Sequence, residues 1–242
     1  MSDEKVALVT GASRGIGRAI VEELSSLGYS VVVNHRDSQA EAEKLAGQIN
    51  RSLVVQADVP DRAAVGAMLD AVITTFGRLD VLVNNAGATM PSDWRTIDPQ
   101  VWRRCLDVNL TGVFNCLQAF SPVLAETGRG RIVNIGSTYS GMGVGVIAAY
   151  SAAKAGVASL TTSFAKELAP DVTVNLVAPG NIDTEMTRSA GTEFVDSVIA
   201  RTPLERLGDP AEIAAAIRFL VSKDASFITG QTIVLDGGHS LR

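Results

Sequence analysis

Cysteine and histidine are scarce in this chain of 242 residues, which carries only Cys105, Cys116, His35 and His239. The two cysteines fall in a predicted helix at a spacing that returns them to nearly the same face and fits no usual metal pattern. They read as packing thiols of a reducing compartment. His35, at a predicted loop position, and His239, near the C-terminus, bear no regular relation to Ser137 or to a carboxylate cluster. That argues against a Ser-His-Asp hydrolase and against a histidine metal site. Long apolar runs are missing too: none approaches the ~20 residues of a membrane span, and Met1 to Lys5 is too polar and acidic to begin a signal peptide. Basic charge is not in excess. A net charge of −5 and a pI near 5.1 leave no electrostatic footprint for nucleic acid or an anionic membrane. A cytoplasmic protein is expected. With 46% hydrophobic residues and no repeat, low-complexity tract or linker, residues 1–242 are expected to form one domain.

What the sequence does contain is alternation. Short apolar runs bounded by turn residues recur at Val6–Val9, Val31–Val33, Leu53–Val55, Val81–Val83, Ile132–Ile135, Val174–Val177 and Ile233–Leu235. They read as strands buried on both faces, hence parallel. Helical patterns lie between them, over Gly15–Leu27, Gln39–Ile49, Arg62–Phe76, Pro99–Leu124, Tyr150–Leu168 and Pro210–Leu220. This predicts an α/β protein, a doubly wound Rossmann-type seven-stranded parallel sheet with helices on both faces. Residues 180–207 show no clean period and are expected to form a mobile lid over a substrate pocket.

The first strand runs into Thr10-Gly11-Ala12-Ser13-Arg14-Gly15-Ile16-Gly17 and then directly into a helix. Glycines there permit a tight turn and close backbone approach to a ligand, and the helix N-terminus offers free N–H groups to a pyrophosphate. At the end of the second strand, a carboxylate would bond a free ribose 2′-hydroxyl and repel a 2′-phosphate. The chain has Asn34-His35-Arg36-Asp37 instead, with Arg14 across the glycine-rich turn. Two cations favour NADP(H) over NAD(H), with Asp37 a counter-argument.

Tyr150 and Lys154 are spaced to share one helix face. A phenol of reference pKa ~10 is a poor proton donor near neutrality, and an adjacent cation is expected to lower it. With the glycine-rich turn, Asn84-Asn85-Ala86-Gly87, Asn109, Ser137 and Tyr150-x-x-x-Lys154 in this order, the chain resembles the classical short-chain dehydrogenase/reductases over essentially its full length.

The resemblance implies roles for individual residues. Asp58 and Val59 would hold the adenine, Asn85, Ala86 and Gly87 would pass beneath its ribose, and Pro179, Gly180, Ile182 and Thr184 would contact the nicotinamide end and the phosphates. Tyr150 would be the general acid. Lys154 would lower its pKa and hold the nicotinamide ribose, Ser137 would stabilise charge on the substrate oxygen, and Asn109 would hold a water that links Lys154 to solvent. The alternative for Asn109 is a solvated helix position.

Within the family, the stretches beginning at Gly11, Asn109, Tyr150 and Ile228 look like 3-oxoacyl-acyl-carrier-protein reductases, which implies NADPH-dependent reduction of a 3-oxoacyl thioester and a homotetramer. Reduction of acetoacetyl-CoA, of a sugar or polyol precursor, or of general carbonyls is the alternative, and a non-catalytic dinucleotide sensor or scaffold is the alternative of another class. Docking of the acidic carrier protein needs cations near the active-site mouth. Leu168-Ala169-Pro170-Asp171 supplies none after the Tyr/Lys helix, which leaves Arg129, Arg131, Arg188 and Arg201 as candidates.

Overall fold

The computed structural model describes residues 4–241. Seven strands, β1 (Val6–Val9), β2 (Ser30–His35), β3 (Ser52–Gln56), β4 (Val81–Asn84), β5 (Gly130–Ile135), β6 (Val172–Pro179) and β7 (Thr232–Leu235), make one sheet of order β3-β2-β1-β4-β5-β6-β7. Every neighbouring pair is parallel. β1 and β4 are buried along their whole length, as expected of apolar runs with helices on both sides. One layer of core joins Val9, Val31 and Val33 to Ile20 and Leu24 of α1 (Gly15–Ser26) and to Ile213 and Ile217 of α10 (Pro210–Val221). The other joins Leu8, Leu82 and Ile132 to Met68 of α3 (Arg62–Phe76), Phe120 of α5 (Gly112–Glu126) and Val157 of α7 (Ala148–Glu167). The strand order reverses between β1 and β4, and a crevice opens beyond their carboxyl ends.

Local chemistry sets several helix boundaries. Asp61 accepts from the N–H groups of Ala63 and Ala64 to start α3, and Gly77, at φ 71°, ends it. At α10 the Asp209 carboxylate accepts from Ala211 N–H while Glu212 reaches back to Asp209 N–H, with Pro210 in the first turn.

Five expectations are corrected. The helix predicted over Gln39–Ile49 stops at Ala46, where Gly47 caps α2 (Gln39–Ala46). The helix predicted over Pro99–Leu124 is α4 (Pro99–Leu106), a π-helical turn over Asp107–Thr111, and then α5. The wider turn has a cause: Asn109 Nδ2 donates to Cys105 O at 2.9 Å, taking a carbonyl one turn back that an α-helix would pair with its own backbone. This continuous segment, Pro99–Glu126, is also long and apolar enough by composition to span a membrane, against the expectation that nothing approaches that length, but 56% of its most apolar window is buried inside the fold. Residues 180–207 are not irregular throughout, since α8 (Glu185–Arg188) and α9 (Thr192–Arg201) lie within them. His35 is no loop residue. It ends β2 and is 1% exposed.

Candidate active site

The glycine-rich turn folds back on itself. Gly11 and Gly15 adopt φ of 59° and 54°, and a Cβ on Gly17 would lie 2.4 Å from Gly11 O and 2.6 Å from Asn85 Nδ2. That Asn85 amide donates to the carbonyls of Thr10 and Gly11, while Thr10 Oγ1 accepts from the N–H groups of Asn85 and Ala86. The β1 and β4 loops are thereby bound into one floor. No side chain caps the first turn of α1, so its N–H groups are available to an anion.

Gly11, Ser13, Arg14, Gly15, Ile16 and Gly17 line one wall of the cleft. Asn34, His35, Arg36, Asp58 and Val59 line its far end, and Asn85, Ala86, Gly87, Thr184, Tyr150 and Lys154 continue it toward α7. The cleft walls do not include Pro179, Gly180, Ile182, Asn109 or Ser137. Pro179 O accepts from Thr138 N–H, Gly180 packs against Asp236, and Ile182 is 4% exposed, bridged to Gly208 in the core behind the cleft.

The cleft's far end is already rich in partnered charge. Arg36 Nε and Nη2 both donate to Asp37 Oδ2, at 2.9 and 2.7 Å. Arg14 Nη1 meets Glu185 Oε2 at 3.3 Å with both side chains mostly exposed. Asp58 is paired with Arg104 at 2.9 Å, a residue of α4 that the sequence did not single out. Asn34 is structural: its Oδ1 accepts from Gly11 N–H and its Nδ2 donates to Ala57 O. Neither ring nitrogen of buried His35 has a protein partner, and this orphaned ring, the glycine floor and the uncapped α1 together suit a dinucleotide.

At the other end Lys154, 2% exposed, donates from Nζ to Ile135 O at 2.7 Å and stands 5.7 Å over the Tyr150 ring. The expectation that Lys154 lowers the phenol is corrected. Burial dominates both groups, pushing Tyr150 up to about 12 and Lys154 down to about 8, and a hydrogen bond with Ser137 draws Tyr150 part of the way back. With Nζ held on a carbonyl and the ring facing it, the ammonium is not spent on the phenol oxygen. Asn109 is fully buried rather than solvated. Its Oδ1 accepts from Ala88 N–H and its Nδ2 donates to Ala88 O. A Cβ on Gly87 would sit 2.8 Å from Asn109 Oδ1 and 3.5 Å from Lys154 Nζ, so glycine keeps the space between amide and ammonium open.

Two of the four basic candidates for carrier-protein docking lie away from the cleft, and the other two are already bonded. Arg129 and Arg131 flank the amino end of β5, and Gly130 N–H bonds Asp171 O, so these positions and the Leu168–Asp171 stretch occupy the end of the sheet opposite Ser137. Arg188 is paired with Asp183, and Arg201 donates to Ser197 O. Both thiols are buried, and burial raises Cys116 to about 12. Among the described residues no cluster of three or more potential metal ligands occurs.

Residues 11–240 match the family model described as enoyl-(acyl carrier protein) reductase. A 3-oxoacyl-[acyl-carrier-protein] reductase of Staphylococcus aureus is 44% identical over 243 residues, covering 98% of this chain and 99% of the relative. Among solved structures, an actinorhodin polyketide ketoreductase with NADPH superimposes with TM-score 0.93 at 33% identity, over 99% of this chain and 98% of the other. A gluconate 5-dehydrogenase of Burkholderia cenocepacia in complex with NADP and tartrate gives TM-score 0.93 at 34% identity, over 100% of this chain and 97% of the other. With a family model matched from residue 11 to 240 and a relative 44% identical over nearly the whole length, the chain belongs to the short-chain dehydrogenase/reductase family of NAD(P)-dependent oxidoreductases, which interconvert C=O and CH–OH.

Proposed function

We propose that this protein reduces a ketone to a secondary alcohol with NADPH, and that its substrate is a 3-oxoacyl thioester of the kind named for its Staphylococcus aureus relative. The observation that carries the reading is that Tyr150 and Lys154 line one end of the cleft, with Ser137 hydrogen-bonded to Tyr150 just behind its wall. A bound nicotinamide cofactor supplies the hydride. The chain's own residues handle the oxygen. Tyr150, kept protonated by its buried setting, gives its proton to the carbonyl oxygen as that oxygen gains charge. Ser137 donates a hydrogen bond to the same atom, the preorganised donor that such a charge requires. Lys154 holds the cofactor's ribose, and Asn109, which a Cβ on Gly87 would crowd, holds a water that links Lys154 to solvent. Asp58 and Val59 serve the adenine, with Arg104 steadying the Asp58 carboxylate.

The test is NADPH oxidation with acetoacetyl-CoA, a 3-oxoacyl carrier protein and ethyl acetoacetate, set against NADP-dependent oxidation of gluconate. Turnover of the thioesters supports the reading. Turnover of gluconate alone would place the chain with the sugar-acid dehydrogenases it also superimposes on.

NADP(H) preference rests on Arg36 and Arg14, each of which must trade a carboxylate for the 2′-phosphate. A charge-assisted bond contributes about 1.5–3 kcal/mol, less the exposed pair given up. Arg36→Ala is therefore expected to raise the apparent Kd for NADPH by about tenfold and leave that for NADH unchanged. Equal effects on both cofactors, measured by fluorescence titration, would refute the assignment.

A further inference from the structure

Beyond the end of β5 the backbone stays stitched to β6. Gly136 N–H bonds Val177 O at 2.7 Å, and Thr138 N–H bonds Pro179 O at 3.1 Å. The last rung is made by side chains: Tyr139 Oη donates to Asn181 Oδ1 at 3.0 Å. Tyr139 also touches the reaction centre through its backbone, since its N–H donates to Ser137 Oγ at 3.2 Å.

A serine hydroxyl has one proton to give and two lone pairs to receive. With one lone pair occupied by Tyr139 N–H, rotation of the hydroxyl is restricted and its proton is left for another acceptor. Accepting a bond also polarises O–H and improves it as a donor. Thr138 and Ser137 are both buried, so no solvent competes for this geometry. The Tyr139 phenol lies near enough to Tyr150 to act on it electrostatically.

We infer that Tyr139 is a positioning residue for the reduction, its hydroxyl strapped to Asn181 so that its backbone N–H holds the Ser137 hydroxyl aimed at the substrate oxygen. This rests on the role given to Ser137 above. The strap is one rung of a longer ladder, and losing it leaves the Gly136 and Thr138 bonds intact. Asn181 Nδ2 is buried with no protein partner, so the amide enters this bond through its oxygen alone.

The experiment is a double-mutant cycle on the full chain, read as kcat for acetoacetyl-CoA with NADPH. Tyr139→Phe and Asn181→Ala are each expected to lower kcat about 3- to 10-fold, with the KM for NADPH unchanged, and to cost no more together than singly. In a Ser137→Ala background, Tyr139→Phe is expected to cost nothing further. An equal loss in both backgrounds would show that Tyr139 acts by contacting substrate or by general stability, and overturns the strap while leaving the Ser137 role standing. An undiminished kcat for Tyr139→Phe alone overturns it as well. If Ser137→Ala itself retains full turnover, the role of Ser137 fails and the strap fails with it.

Discussion

Tyr150→Phe is expected to lower kcat by about 10²- to 10⁴-fold while NADPH binds nearly as before, because the variant loses one oxygen atom and the only proton placed for transfer. The pH dependence sharpens this result. With Tyr150 raised to about 12, the wild-type phenol stays protonated across the working range, so reduction shows no acid or neutral limb from its ionisation. Lys154 behaves differently. Its pKa of about 8 means that the cation proposed to face the cofactor is present below that pH and lost above it. NADPH affinity is therefore expected to weaken as pH rises through about 8, and Lys154→Met should remove that dependence. Binding of an anionic cofactor favours the charged amine and shifts the limb upward by linkage. Rapid kinetics and titrations of both variants between neutral and alkaline pH check these outcomes; wild-type turnover by Tyr150→Phe would remove the mechanism.

The second large effect is on stability and falls far from the chemistry. Asp80, 4% exposed just before β4, accepts from Val6 N–H at 2.8 Å and from Arg78 Nε and Nη2 at 3.0 and 2.6 Å. Its backbone meanwhile joins Val6 on one side and Arg131 on the other. One carboxylate thus fixes the start of β1 against β4. Asp80→Ala strands a buried N–H and removes a charge partner, at a cost of about 3 kcal/mol. For a chain of this length that corresponds to a fall in Tm of roughly 6–12 °C. Arg206→Ala, which breaks the exposed pair with Glu212, is the control and should move Tm little. Thermal and urea unfolding measure both; a negligible shift for Asp80→Ala would refute this account of the β1–β4 junction.

Fold and site were legible in the sequence to different depths. Strands announced themselves because burial on both faces demands continuous apolar runs such as Val31-Val32-Val33. Glycine-rich turn and Tyr/Lys pair were legible because their function depends on short local spacing. The π-turn was not, since the Asn109 amide that bonds Cys105 O is held in place by Ala88, distant in sequence. Helices α8 and α9 were hidden by their shortness and by Gly191, which sits at φ 95° at the start of α9. The Asp58–Arg104 and Tyr139–Asn181 pairs leave no sequence pattern at all. The sign of the Tyr150 shift was misjudged for a related reason: charge proximity follows from spacing, but desolvation follows from the whole fold.

All seven strands point the same way, so the fold has a working end and a quiet end. β5 alone, six residues long, separates them by about 20 Å, more than twice the Debye length at physiological ionic strength, ~8 Å. Arg129 and Asp171, at the quiet end, are not among the groups that shift Tyr150 or Lys154. Surface charge at that end can therefore be changed, toward neutral or further from it, with little expected effect on Tyr150, the proposed acid.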